Sequence, residues 1–131
     1  MSQSGAFMAL PGLAVVVNRV DYVPGLDAPS DRPHSFVYSI TIRNGSDRQV
    51  TIRGRKWIVT EADGHRVVVE GDGVVGQFPE LAPGSSFEYN SRHIIKGPWA
   101  VAEGSYFGID SKGHRVYVPI PPFRMELDGL C

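Results

Sequence analysis

Between His34 and Asn44 the chain reads HSFVYSITIRN, which puts Phe36, Tyr38, Ile40 and Ile42 on one side and Ser39, Thr41 and Arg43 on the other. Successive side chains of a strand point to opposite faces, so an apolar stripe of period two describes a half-buried strand and no helix. The composition extends that constraint to the whole chain. Val and Ile number 24 against 14 for Leu and Ala; branched side chains lose rotamer freedom in a helix and fit a pleated sheet. Gly and Pro supply 25 of the 131 residues and divide the chain into short segments, in a length that suits one domain with one core.

The first strand is expected over Leu13–Tyr22, after a loose leader at residues 1–12. Three prolines in Val23–Pro33 mark a long loop, and Asn44-Gly45-Ser46-Asp47 has the residues of a tight turn back. Beyond it, Val50 and Ile52 read as inward positions, and so do Trp57 and Val59. Even numbers give way to odd ones, so a one-residue irregularity is required, and Gly54 is its natural place. Strands follow at His65–Glu70, Ser85–Ile95 with Phe87 and Tyr89 inward, Tyr106–Ile109, His114–Val118 and Phe123–Leu127, with Pro119 to Pro122 bending or extending the last part. Seven or eight strands of this kind make a β-sandwich or a barrel. The long connections at residues 23–33 and 71–84 favour the sandwich, because they suit Greek-key crossings between sheets.

Charge narrows the function. The formal net charge is −1, which indicates neither a general polyanion binder nor a disordered acidic chain. Residues 32–66 nevertheless carry seven basic and three acidic side chains, and Arg53, Arg55 and Lys56 concentrate positive charge around Gly54. Cys131 is the only cysteine, so no disulfide forms within one chain and a cytoplasmic location is expected. No basic stretch precedes the apolar residues Ala6–Leu10, as a secretory signal requires, and no apolar run reaches the ~20 residues of a membrane span.

Gly71-Asp72-Gly73-Val74-Val75-Gly76 spells GxGxxG. In dinucleotide folds such glycines open a helix that holds a pyrophosphate. Here Pro79 and Pro83-Gly84 follow too soon for a helix, and there is no βαβ pattern. Two readings remain: a structural crossover, or a backbone nest in which Gly71, Gly73 and Gly76 bind an anion beside Arg53, Arg55 and Lys56.

From Leu13 to Leu127 the chain resembles the ApaG domain family. The likeness is carried by Gly54-Arg55-Lys56-Trp57-Ile58-Val59, Asp63-Gly64, Gly71 to Gln77, Pro83-Gly84 with Phe87, Tyr89 and Ser91, Gly104-Ser105-Tyr106, Gly113 and Ile120-Pro121-Pro122-Phe123. Phe78 before Pro79, Arg92 after Ser91 and Ala102 depart from the common pattern and touch partner specificity more than fold. The resemblance implies an immunoglobulin/fibronectin type III-like sandwich over residues 13–127 with a tail at 128–131. It implies small bacterial proteins of unassigned role, linked by gene neighbourhood to dinucleoside tetraphosphate hydrolysis and by an older name to cobalt and magnesium efflux. It also implies a domain that serves protein interaction in a eukaryotic F-box protein and a polymerase-interacting protein.

No catalytic constellation emerges. Ser85, Ser86, Ser91 and Ser105 lack a GxSxG elbow and Cys131 lacks a nearby base, so an enzyme is not expected, nor a cofactor. His34, His65, His93 and His114 show no metal-ligand spacing and read as surface or satisfied histidines. Convergence of Asp63, Asp72 and Asp110 on a divalent ion would require three loops to meet. Phe78 and Trp99, on Gly/Pro-rich loops, are the candidate exposed anchors, better suited to a protein than to nucleic acid. The expectation is a non-catalytic protein-interaction domain whose contacts come from residues 71–79, 97–99 and 53–56. The alternatives are a binder of pyrophosphate or dinucleoside polyphosphates at the glycine loop and an accessory of divalent-cation efflux.

Overall fold

A computed structural model of the chain describes residues 6–24 and 29–127. They form nine strands: β1 (Met8–Ala9), β2 (Leu13–Tyr22), β3 (His34–Asn44), β4 (Val50–Glu61), β5 (Arg66–Asp72), β6 (Glu80–Leu81), β7 (Ser86–Ile95), β8 (Trp99–Asp110) and β9 (Arg115–Glu126). One sheet runs β1-β9-β8-β4-β5, with β6 paired to β4 beyond β5, and the other runs β2-β3-β7. The long strands pair antiparallel throughout, and β1 alone adds in parallel, on β9. This is the sandwich expected, of immunoglobulin/fibronectin type III-like form.

The alternation read in the sequence is what fills the space between the sheets. Phe36, Tyr38, Ile40 and Ile42 from β3 meet Val50, Ile52, Trp57 and Val59 from β4, all buried, with Tyr106 of β8 and Val116, Val118 and Ile120 of β9. The change of parity along β4 is real. Ile52 pairs with Gly108 and Gly54 with Phe107, which leaves Arg53 as the extra residue of a β-bulge one place before Gly54.

Several sequence expectations change or are resolved. The loop at residues 23–33 joins β2 to β3, neighbours in one sheet, so it makes no crossing. The sheets are instead crossed by short links at residues 10–12, 45–49, 82–85 and 96–98, so Asn44-Gly45-Ser46-Asp47 is an arch between sheets rather than a hairpin. The reason lies in Asn44: its side chain is buried and occupied by Arg48, Leu81 and Ser46, which turns the chain across the core. Of the two courses left open for Pro119 to Pro122, the chain takes the extended one. Strand β9 runs through them because β1 covers its outer edge only at Val116 and Tyr117, and a register shift against β8 between Ala102 and Gly104 absorbs the missing donors. The leader expected at residues 1–12 is described from Ala6, and that part includes β1, with the Phe7 ring 5.1 Å from Phe107. The tail expected at 128–131 lies outside the described residues.

Candidate functional site

The two long seams of the sandwich differ. Along one, β2 approaches β9. Along the other, β5 and β7 stand apart and a cleft of about 580 Å³ opens between them. Its geometry follows from strand parity. On β4 the odd residues Arg55, Trp57 and Val59 face the second sheet; on β5 they are Val67 and Val69, and on β7 Tyr89, Ser91 and His93.

The floor of the cleft is aromatic. Tyr38 packs on Trp57 at 5.2 Å, and the His93 imidazole stacks on Tyr38 at 4.8 Å and meets Trp57 edge-on at the same distance. Burial pushes the His93 pKa down to about 4, which keeps the ring neutral. Its Nε2 is buried and has no hydrogen-bond partner among the described residues. Deeper still, the hydroxyls of Tyr89 and Tyr106 are hydrogen-bonded to each other. Burial raises the pKa of Tyr38, Tyr89 and Tyr106, against the smaller opposing pull of Arg55, so these phenols stay protonated.

Arg55 ties the cleft to the glycine segment. Its Nη1 donates to the carbonyls of Asp72, at 2.9 Å, and Gly73, at 3.1 Å. Gly71 lies across from Arg55 in the ladder, and a Cβ there would come within 2.8 Å of Nη1, so this glycine makes room for the guanidinium. Gly73 is needed for another reason: at φ +67° a Cβ would sit 2.4 Å from the carbonyl oxygen of Gln77. Val74 and Gln77 exchange both backbone hydrogen bonds around Val75 and Gly76, whose φ angles of 43° and 79° make a type I′ turn. No helix follows. The Gly73 amide donates to the Arg53 carbonyl at 2.9 Å and is not offered to an anion.

The residues of the expected basic patch share one outer hollow, and Arg55 also reaches the cleft. Arg53, the bulge residue, sits 5.8 Å over the Phe78 ring, and Lys56 Nζ is 3.6 Å from a Glu70 carboxylate oxygen. Arg53, Arg55 and Lys56 together border that outer hollow with Phe107 and Arg115. Phe78 is 52% exposed beside Arg53. Trp99 is not on a loop: it opens β8 at the far end of β4 and is covered by Arg124, 4.2 Å from its ring centroid. The two aromatics therefore belong to no common surface. Asp63 and Asp110 likewise flank opposite ends of β4, where Lys96 and Arg48 respectively neutralise them. Among the described residues no three His, Cys, Asp or Glu side chains stand close enough to hold a metal ion, and no helix is long and apolar enough to cross a membrane.

Sequence reasoning missed His93. It is neither a surface nor a satisfied histidine, and the signal was present in the alternation that turned Phe87 and Tyr89 inward, since positions 91 and 93 continue it. What the cleft offers chemically is the guanidinium groups of Arg32, Arg55 and Arg92, neutral phenols and a neutral imidazole around an aromatic floor, a set that binds by donating hydrogen bonds and by stacking.

The ApaG domain profile matches residues 25–109. The ApaG protein of Shewanella pealeana is 40% identical over 109 residues, 83% of this chain and 86% of its own length. That of Ralstonia nicotianae is 41% identical over 112 residues, 86% of this chain and 90% of its own. A solved structure of an ApaA protein from Bordetella pertussis superimposes with a TM-score of 0.81 at 33% identity, covering 92% of this chain and 97% of that one. The fold and the sequence likeness agree, and the chain belongs to the ApaG domain family.

Proposed function

We propose that this ApaG domain is a non-catalytic interaction module that receives an extended segment of a partner protein along its open seam. The observation that supports the reading is the pair of free strand edges beside the cleft. Among the described residues β5 pairs only with β4 and β7 only with β3, so each presents a row of backbone donors and acceptors on its outer side. Val68, Val69 and Val75 are 55%, 40% and 49% exposed along the β5 side. An added strand would satisfy the backbone groups and cover these side chains.

The test uses Val69→Lys, which places a charge on the cleft wall at an already half-exposed position. Wild-type and variant protein, shown to have the same thermal midpoint, are immobilised and challenged with lysate. The reading expects the wild type to retain a protein that the variant releases. Equal retention by both, or by neither, sinks it.

The glycine loop as a pyrophosphate or dinucleoside polyphosphate site has less support, because the Gly73 amide is bonded within the chain. Titration with pyrophosphate, followed by the Gly73 and Gly76 amide resonances, tests it; no shift at millimolar ligand removes it.

A further inference from the structure

The open seam holds a positive charge that the fold does not neutralise. Arg55 is partly buried on the inner face of β4, and its Nη1 has two carbonyls for company. Among the described residues no carboxylate lies within ion-pair distance of it, although eight such ion pairs occur elsewhere. Arg32 and Arg92 also line the cleft, and the described lining contains no acidic side chain. Arg32 shares its charge with Glu61, 3.6 Å away. A partly exposed guanidinium whose hydrogen-bond partners are two carbonyls is a good receptor, because it gains a charge-assisted, bidentate pair when a carboxylate arrives.

The register of β5 says where that carboxylate would come from. Val67 and Val69 face the cleft two residues apart, and two residues further on Gly71 leaves the space that Arg55 occupies. A strand laid along β5 repeats the same spacing of about 7 Å on one face. We infer that the cleft selects an acidic segment, with two apolar side chains over Val67 and Val69 and, at the next position on that face, a carboxylate on Arg55. This rests on the edge-strand reading above and adds to it a sequence preference: apolar, any, apolar, any, acidic for a guest parallel to β5, and the reverse order for an antiparallel one.

The probe is an acetylated and amidated heptapeptide, Glu-Thr-Val-Thr-Val-Thr-Glu, which reads the same in both chain directions. Its twin carries Gln in place of both Glu residues. The indole resonance of Trp57 reports on the cleft floor, and that of Trp99, beneath Arg124, serves as a distant control. The expected result is a saturable shift at Trp57, at least tenfold weaker in apparent affinity with the Gln peptide. In Arg55→Met the difference disappears, and Arg55→Lys keeps part of it. Equal binding of both peptides to the wild type overturns the anion anchor and leaves edge docking standing; no shift with either peptide removes both. A shift with pyrophosphate and none with the Glu peptide assigns the cleft to small phosphates and also overturns the inference.

Discussion

At the scale of single residues, the unusual environment is that of His93. A histidine whose folded pKa is depressed is protonated in the unfolded chain before it is protonated in the folded one. Between about pH 6.5 and pH 4 the unfolded state therefore binds more protons, and stability rises with pH across that window. The full difference is about 3 kcal/mol, present above pH 6.5 and lost by pH 4. Urea unfolding from pH 7 to pH 4 is expected to show this slope, and His93→Phe, which preserves a ring between Tyr38 and Phe123, is expected to remove most of it. An unchanged slope in the variant would place the titration elsewhere.

At the scale of elements, the turn between β5 and β6 is built against local preference. Val75 holds φ +43°, where a β-branched side chain is strained, while Asn-Gly is the favoured pair for a type I′ turn. Val75→Asn is expected to stabilise the fold by about 1 kcal/mol in urea unfolding. It is also expected to weaken uptake of the Glu-containing peptide, because Val75 lines the cleft; a variant neither more stable nor weaker in binding contradicts both halves.

The strands themselves were readable because period-two patterns and turn residues are local. Leu13–Tyr22 and His34–Asn44 coincide with β2 and β3, and even the bulge of β4 showed as a change of parity at Gly54. Pairing between distant strands was not readable. Whether Asn44-Gly45 makes a hairpin or an arch depends on where Leu81 is, 37 residues away, and no nearby residue encodes that. The candidate site was legible in part: Arg53, Arg55 and Lys56 do border one hollow, but that Arg55 also lines the cleft depends on where β5 and β7 lie, which no local pattern encodes.

At the scale of the whole molecule, buried polar side chains fasten links between strands at both ends. The Asn44 Nδ2 donates to the carbonyls of Arg48 and Leu81, each at 2.8 Å, and its Oδ1 accepts from the amide and hydroxyl of Ser46. At the other end, Glu61 accepts from the amides of Lys96 and Gly97, where β7 leaves for β8. Asp110 closes the β8–β9 turn by accepting from Lys112 and His114; burial alone would raise its pKa, and these hydrogen bonds, with Arg48, bring it down to about 2. Removing the first of these fasteners, Asn44→Ala, leaves several buried groups unpaired at once. A loss of about 3 kcal/mol is expected by urea unfolding, and a loss below about 1 kcal/mol would show that the arch is held by packing instead.

The unequal seams give the sandwich a spine and a fore-edge. With β2 against β9 on one side and a cleft on the other, the sheets can part as the covers of a book do, from the β5–β7 side, while the spine holds. A guest strand there would act as a clasp as well as a cargo. Its presence would be felt as slower amide exchange along both covers, including residues it never touches.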